Sequence, residues 1–479
     1  MNKEVTDRAL LEELATEFGL DLTSDIKQAV LDTAARIDES AGYLYHPDTE
    51  APDSVGSYAD DNYGALLEVY DEPRSESNDG PLAGNTVAVK DVLAVQLLQL
   101  TCGSRSLEFV PTFDATVVSR LLDAGASIVG KANCDAFALG PTGEFSELDD
   151  VINPVAPDHV PGGSSSGSGA AVAAGLVDVA LGTDTGGSVR LPASCCGVVG
   201  VKPSHGLVSR YGLVELAPST DTIGPLASDV TTAATALAAI AGPDPRDPAT
   251  THNHIRAIGD LDDHGNLRIG LPTSLLEPAC NDIQGVVEDL VASLRQLNNV
   301  TVEPVEINLG DLGRVYSLIV ATEYVWLLRQ SMLTRGDGIR HGRGWPAALA
   351  DTEFSDHVAT RILPAALIDE QSNGQAYAAA REVVLEFKHE LEAIFDTYDL
   401  LITPTMRVAP PKRGQLDPSE GMSSIVGNTA PFSATGHPAV SVPGGEVDSL
   451  PIGVQVIAPI FADRQALIGA RLIERVADI

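Results

Sequence analysis

Three short segments of the chain place a reactive side chain beside glycine or inside an apolar strand. Lys90 ends the run TVAVK, Ser164 lies in PGGSSSGSGAAVAAG, and Ser188 follows the glycines of GTDTGGSVR. A lysine in an apolar strand is costly unless it is paired or neutral, and desolvation favours the neutral amine that a general base needs. Glycines beside a serine can expose backbone N–H groups to an oxyanion. Together the segments predict a serine nucleophile activated by lysine.

Each segment also has another interpretation. Lys90 can be a structural lysine paired with Asp91, because buried charges are usually paired. The run 163–167 matches the G-x-S-x-G nucleophile elbow centred on Ser165, but that elbow follows a buried strand, and here polar, proline-containing residues come first. A phosphate loop would need a following Lys-Ser/Thr pair, which is missing. A flexible loop at this segment and a capped glycine turn at Ser188 also stay open.

The elements that must position these residues alternate between strands and helices. Period-two runs predict strands, whereas apolar residues three and four apart predict helices. The predicted strands are 86–92, 127–130, 267–272, 399–404 and 452–459, and the predicted helices are 114–125, 282–297, 375–395 and 464–476. This alternation is typical of an α/β sheet covered by helices on both faces. The polar stretches 71–81 and 242–265 are predicted to be linkers or surface loops.

The charge of the chain limits its partners and indicates its environment. Of 479 residues, 67 are acidic and 30 are basic, which gives a formal net charge of −37. Such a surface repels nucleic acid and anionic membranes, so we expect direct contact with neither. Scattered carboxylates become tolerable when salt shortens the Debye length to about 3 Å near 1 M, which indicates salt adaptation. An acidic partner-binding face is the alternative.

Cysteine usage and the N-terminus predict a cytoplasmic protein. The five cysteines are an odd number without C-x-x-C spacing, which argues against a disulfide scaffold and against a metal site. Residues 1–22 alternate charge with leucine, as an amphipathic helix does, and lack the apolar run of a signal peptide. The longest apolar stretch, 170–181, is too short to span a bilayer and contains Asp178.

From about residue 81 to the C-terminus the chain resembles the amidase signature family. The resemblance is carried by the block GGSSSGSGAAVAAGLVDVALGTDTGGSVRLPASCCGVVGVKPSHGLVSRYGL, by the lysine segment LAGNTVAVKDV, and by DLLITPTM and PFSATGHPAVSVPGG. It implies an amidase-signature fold, with a large mixed central β-sheet covered by helices on both faces. We expect an N-terminal helical region, 1–70, packing on an amidase signature domain, 71–479, with the signature block at about 160–210.

The resemblance implies a Ser-cis-Ser-Lys triad. By position, Ser188 is the acylated nucleophile, Ser164 is the bridging serine held by a cis peptide bond, and Lys90 is the base. The expected oxyanion hole is formed, with the N–H of the nucleophile, by the three residues before it: Thr185, Gly186 and Gly187. Ser165 and Arg361 are further expected substrate contacts. The resemblance implies no metal and no organic cofactor.

Two kinds of enzyme are covered by this resemblance. Family members that supply ammonia for tRNA amidation hold their substrate with an arginine, which Arg361 resembles, and with a downstream aspartate, where this chain has Val426. Because that carboxylate is missing, we expect a free-standing amidase, alone or as a homodimer, that cleaves a small-molecule amide to acid and ammonia or amine. The alternative is the A subunit of a tRNA-dependent amidotransferase, a glutaminase that works with partner subunits. A non-catalytic scaffold is disfavoured by the intact lysine and serines.

Overall fold

A mixed sheet of twelve strands forms the centre of the part of the chain that the structure describes. This structure is a computed structural model, and it describes residues 8–42, 52–250, 261–262, 265–310, 312–330, 353–416 and 421–477. The strands are β1 (Ser57–Tyr58), β2 (Leu66–Arg74), β3 (Thr86–Lys90), β4 (Ser127–Ala132), β5 (Val179–Asp184), β6 (Val199–Lys202), β7 (Thr222–Ala227), β8 (Leu267–Pro272), β9 (Val300–Val305), β10 (Leu400–Pro404), β11 (Ala439–Val447) and β12 (Leu450–Ile457). Their order in the sheet is β1-β2-β4-β3-β5-β7-β6-β11-β12-β10-β8-β9.

Helices connect and cover these strands. They are α1 (Arg8–Glu17), α2 (Ser24–Gly42), α3 (Thr116–Asp123), α4 (Ser166–Ala173), α5 (Arg190–Cys196), α6 (Val230–Ile240), α7 (Thr273–Leu276), α8 (Asn281–Leu294), α9 (Leu312–Gln330), α10 (Asp356–Ser372), α11 (Gln375–Phe395), α12 (Gly421–Val426), α13 (Ala430–Ala434) and α14 (Asp463–Val476). The α/β fold class predicted from the sequence is confirmed. None of the described helices is both long enough and apolar enough to cross a membrane.

Strands β3, β4 and β5 set the position of the candidate site. Strand β3 runs parallel to both neighbours, and its Val89 lies opposite Lys131 of β4 and Leu181 of β5. Four of the five β3 residues are buried, as the apolar run predicts, and all six residues of β5 are buried. The carboxyl ends of β3 and β5 therefore lie at one edge of the sheet, where α/β folds commonly place their sites.

The signature block forms the consecutive elements α4, β5, α5 and β6. Its small residues allow α4 and α5 to pack closely on the sheet, with Ala170, Ala180 and Ala193 in one buried cluster. A side chain at Gly167 would collide with the backbone of Ala65 and Asn133, so this position of α4 requires glycine. Close packing of this kind fixes the start of α4 against the carboxyl ends of the central strands.

The N-terminal region differs from its predicted helical character. Helices α1 and α2 are followed by β1 and β2, which join the sheet, so the helical part ends well before residue 70. Residues 1–7 and 43–51 of this region lie outside the described residues. The predicted loop 71–81 begins inside β2, whereas 251–260 and 263–264 of the second predicted loop are not among the described residues. The division into two regions stays a prediction.

Candidate active site

Lys90 lies at the carboxyl end of β3 and is fully buried. Its Nζ is 2.8 Å from Ser164 Oγ and 2.8 Å from Thr183 Oγ1. Burial lowers the pKa of this amine, so the environment favours its neutral form. The alternative of an ion pair with Asp91 does not hold, because the Asp91 carboxylate accepts from Thr101 and lies 3.3 Å from Lys131 Nζ.

Ser164 lies in the turn that begins α4, and the peptide bond between Gly163 and Ser164 is cis. The turn is held by backbone hydrogen bonds: the Gly163 N–H donates to Pro141 O at 2.8 Å, and the Asp135 N–H donates to Ser164 O at 3.1 Å. In the described chain no strand comes immediately before this turn, unlike in a nucleophile elbow. The turn brings the Ser164 hydroxyl to the Lys90 amine.

Ser165, the next residue, is engaged with the sheet. Its Oγ accepts the N–H of Thr183 at 3.2 Å and donates to Thr183 O at 3.3 Å, and the residue is fully buried. This pair of hydrogen bonds fastens the serine turn to β5. The substrate contact expected of Ser165 stays a prediction.

Ser188 lies in the tight turn between β5 and α5 and is one of the residues that line a cavity of about 180 Å³. The turn is braced by Asp184, whose Oδ2 accepts the Val189 N–H at 3.2 Å and Arg190 Nε at 2.9 Å. The coulombic attraction of Arg190 opposes burial and keeps the pKa of Asp184 low. This buried ion pair fixes the backbone on both sides of Ser188.

The backbone before Ser188 has the features of an oxyanion hole. Gly187 has a φ of +142°, and a side chain there would meet Thr429. The Gly186 carbonyl accepts from Thr429 Oγ1 at 2.6 Å. Among the described residues, no hydrogen bond uses the N–H of Gly186, Gly187 or Ser188. Three N–H donors are therefore available around this serine.

Thr185 is tied to a buried carboxylate. Its Oγ1 donates to Asp221 Oδ1 at 2.6 Å, and Asp221 Oδ2 accepts the N–H groups of Leu216 and Ala217. Burial raises the pKa of Asp221 to about 7. Because Thr185 and Leu216 both border the cavity, Asp221 connects two of its walls.

Among the described residues that line the cavity next to Ser188, Arg361 is the one cation. The cavity is bordered by Arg361 and Val426, and none of its described lining residues carries a carboxylate. Arg361 Nη1 lies 2.8 Å from His357 Nδ1. Since arginine can only donate, this ring nitrogen accepts, and His357 Nε2 carries the proton that contacts Leu139 O. Burial lowers the pKa of His357 to about 4, so the ring is neutral and orients Arg361.

The structure brings together most of the residues expected from the sequence. Lys90 contacts Ser164, and the cavity gathers Ser188 with Thr185, Gly186 and Arg361. Four contributors were not expected: Thr183, Asp221, His357, and Tyr316, whose hydroxyl packs against Gly186. Thr183 lies in the segment GTDTGGS, and Asp221 lies in the segment STDTIGP. In both segments, polar residues beside a buried strand are the sequence signal that could have revealed these two contributors. The described part of the chain contains no cluster of His, Cys, Asp and Glu suited to a metal ion.

The model of the Amidase family matches residues 57–467. The chain therefore belongs to the amidase signature family, whose members are enzymes acting on C–N bonds. This result confirms the resemblance found in the sequence.

Several similar proteins in this family are A subunits of glutamyl-tRNA(Gln) amidotransferases from different organisms. The A subunit of the glutamyl-tRNA(Gln) amidotransferase from Haloarcula marismortui is 42% identical over 421 residues, which cover 83% of this chain and 97% of that protein. The corresponding A subunit from Thermotoga maritima has a crystal structure with a TM-score of 0.75 at 36% identity, covering 86% of this chain and 87% of that one. The native peptide amidase of Stenotrophomonas maltophilia gives a TM-score of 0.70 at 31% identity, covering 83% and 84%.

The expectation of a free-standing amidase is wrong in the light of these relatives. It depended on Val426, a single side chain in the cavity wall. One position alters one contact with a substrate, whereas identities of 41% and 42% with haloarchaeal A subunits extend over most of the chain. The alternative, in which the chain is the A subunit of an amidotransferase, is better supported. These halophilic relatives also agree with the salt adaptation inferred from the charge.

Proposed function

We propose that this chain is the A subunit of a tRNA-dependent amidotransferase and hydrolyses glutamine to supply ammonia to a partner protein. The observation that carries this proposal is the match to the A subunit from H. marismortui over 97% of that protein. The contact of Lys90 with Ser164, and the position of Ser188 beside a cavity, support a hydrolytic role. The net charge of −37 leaves tRNA binding to the partner subunits. A cytoplasmic location stays a prediction.

The proposed reaction begins with attack of Ser188 Oγ on the side-chain amide carbon of glutamine. The Ser188 proton moves to Ser164 Oγ while the Ser164 proton moves to Lys90 Nζ, so the neutral amine becomes an ammonium. The N–H groups of 186–188 donate to the oxyanion that forms on the amide oxygen. When the C–N bond breaks, the proton returns through Ser164 to the leaving nitrogen, which departs as ammonia.

Water completes the proposed reaction. It attacks the acyl ester on Ser188, and its proton passes through Ser164 to Lys90 in the same way. Collapse of the second oxyanion returns a proton to Ser188 Oγ and releases glutamate. The balance is glutamine and water to glutamate and ammonia, without a cofactor. The Arg361 cation is suited to the α-carboxylate of the substrate because guanidinium groups bind carboxylates through paired hydrogen bonds.

The test is ammonia release from glutamine in molar KCl, by the chain alone and with co-expressed partner subunits of a halophilic amidotransferase. We expect Ser188→Ala and Lys90→Ala to lower the rate about 1,000-fold or more. Ser168→Ala is the matched control, because this buried serine of α4 donates to Leu181 O and contacts neither Lys90 nor the cavity. Glutamine left intact by both preparations, or hydrolysis that survives Ser188→Ala, would contradict the proposal.

A further inference from the structure

The guanidinium of Arg361 is held at one of its nitrogens. Arg361 Nη1 lies 2.8 Å from His357 Nδ1 and 3.1 Å from the carbonyl oxygen of the same residue, one helical turn earlier in α10. Among the described residues, no hydrogen bond uses Nε or Nη2 of Arg361. A guanidinium has five N–H donors in a planar fork, so the three on the Nε–Nη2 edge stay available. Such an edge can bind a carboxylate through two parallel hydrogen bonds.

The ring of Phe145 supports both members of this pair. It stacks on the His357 ring with centroids 3.8 Å apart and planes 20° apart, and Arg361 Cζ lies 5.0 Å from the Phe145 centroid. A guanidinium within about 6 Å of an aromatic face is attracted to it. The other nitrogen of the imidazole, His357 Nε2, contacts Leu139 O. One phenyl ring and one carbonyl therefore restrict the rotation of the imidazole that accepts from Arg361.

The loop that carries Phe145 is tied to the serine turn. The Phe145 N–H donates to Asp135 Oδ1 at 2.8 Å, and the Gly143 N–H donates to Asp135 Oδ2 at 3.1 Å. Asp135 is fully buried, and its own N–H donates to Ser164 O. The support of Arg361 and the turn that holds Ser164 therefore share one buried residue, which limits how far the guanidinium can move relative to the triad.

The surroundings of Arg361 favour an incoming anion. Burial lowers the pKa of Arg361, and the attraction of Asp135 opposes this without cancelling it, so the cation is partly desolvated. Attraction between opposite charges is stronger where apolar groups replace water. The apolar side chains that line the cavity with Arg361 are Leu191, Leu216, Val320, Ala321 and Val426.

We propose that Phe145 and His357 are positioning residues that keep the Nε–Nη2 edge of Arg361 open to the substrate carboxylate. His357 occupies Nη1, and Phe145 holds the imidazole that does so. The two residues thereby make the site selective for amides that carry a carboxylate over neutral amides. The inference rests on the proposed function, in which Arg361 binds the α-carboxylate of glutamine.

The first test measures carboxylate binding without hydrolysis. A fluorophosphonate labels Ser188, and glutarate, which has two carboxylates and no amino group, should slow this labelling by occupying the cavity. We expect the glutarate concentration that halves the labelling rate to rise about 10-fold in His357→Leu and in Phe145→Leu, because the guanidinium is no longer preorganised. His357→Asn, whose amide oxygen can accept in place of Nδ1, and Phe145→Tyr, which keeps the ring, should restore most of the protection.

Two further readouts separate positioning from a merely structural role. Butyramide has no carboxylate, so the ratio of the butyramide to the glutarate concentration needed for half protection should fall about 10-fold in both leucine variants. For glutamine, their loss should lie mainly in KM, which rises about 10-fold, and less in kcat. Phe395→Leu is the matched control, because this half-buried ring also stacks on a histidine, His437, at 5.4 Å and does not line the cavity; it should keep the wild-type protection and KM.

Three results would overturn the inference: labelling of the wild type that glutarate does not slow, equal protection of the wild type and both leucine variants, or weaker protection that His357→Asn and Phe145→Tyr do not restore. If His357→Leu does not fold, Phe145→Leu and Phe145→Tyr carry the same comparison. A wild type that leaves glutamine intact, while glutarate protects its Ser188 and protects the leucine variants less, would refute the proposed function and not the role of Phe145 and His357.

Discussion

At the scale of single residues, the cavity next to Ser188 has an unbalanced charge. Arg361 can hold a carboxylate, but no carboxylate among the described lining residues can hold the α-ammonium of glutamine. Val426 lines the cavity at the position where the resemblance to the family would place an aspartate. We predict that Val426→Asp lowers the KM for glutamine about 10-fold, equal to about 1.4 kcal/mol, because a charge-assisted hydrogen bond to the ammonium is added. Initial rates of ammonia release at varied glutamine concentration measure this.

A substrate without the ammonium provides the control for Val426. The half-amide of glutaric acid has the same side-chain amide and carboxylate as glutamine but no amino group, so Val426→Asp should not improve its KM. Val426→Asn matches the shape of aspartate without its charge and should leave the KM for glutamine near the wild-type value. Equal KM values for glutamine in all three proteins would show that the ammonium is held elsewhere.

The protonation of Lys90 predicts how activity depends on pH. The base acts only when neutral, so activity falls as pH decreases through its pKa. Burial lowers that pKa, and we therefore expect the acidic limb of kcat/KM well below the ordinary lysine value of about 10.4. Rates of glutamine hydrolysis from acidic to alkaline pH check this. An acidic limb near the ordinary lysine value would mean that Lys90 is not a desolvated base.

Much of the chemistry of the site could be predicted from single residues, and its contacts between distant segments could not. Lys90, Ser164 and Ser188 attract attention because each has an unusual local neighbourhood of apolar residues or glycines. Asp221 contacts Thr185, 36 residues away in sequence, and the ring of His357 is held by Leu139 O, 218 residues away. No local pattern encodes such a pairing, because it depends on how distant segments of the chain pack against each other in the fold.

At the scale of elements, Arg190 connects the turn that holds Ser188 to strand β12 and helix α13. Its guanidinium makes two 2.9 Å hydrogen bonds with Asp184, one of 2.9 Å with Gln455 of β12 and one of 2.7 Å with Ser433 of α13. We predict that Arg190→Met lowers the free energy of unfolding by about 3 to 5 kcal/mol, because it leaves a buried carboxylate without its partner. Urea titration in molar KCl measures this.

An exposed arginine provides the control for Arg190. Arg268 has about half of its side chain exposed and lies 3.8 Å from Glu303, so Arg268→Met should change stability by about 0 to 1 kcal/mol. Similar losses in both variants would mean that the Arg190 network adds no more than a surface pair. If a folded Arg190→Met protein no longer reacts with a fluorophosphonate at Ser188, the Arg190 network also holds the turn that contains Ser188.

The elements themselves were predicted where their pattern is strong. The helix 375–395 agrees with α11, and 464–476 agrees with α14 to within one residue, because each buries one face and exposes the other. Seven of the twelve strands were missed, and β5 and β7 are the two of them nearest to the site. All of their residues are buried, so they lack the alternation that reveals a half-exposed strand, and glycine in both weakens their apparent strand propensity.

At the scale of the whole molecule, the net charge of −37 predicts that stability depends on salt. Self-repulsion destabilises the compact state, and raising salt from 0.1 to 1 M shortens the Debye length from about 10 to about 3 Å. We therefore expect the free energy of unfolding to rise with KCl, as measured by urea titration at several KCl concentrations. If stability does not change between these concentrations, repulsion among the surface carboxylates does not limit the fold.

A variant with fewer charges separates repulsion from the general strengthening of hydrophobic burial by salt. Glu288 and Asp289 of α8 and Glu382 and Glu386 of α11 are exposed, and the last two are like charges four residues apart on one helix. Changing all four to their amides should stabilise the protein at low KCl and lose this advantage in molar KCl, where the repulsion is already screened. If the two proteins instead differ by a constant amount at every KCl concentration, the salt dependence arises from burial of apolar surface and the acidic composition serves solubility alone.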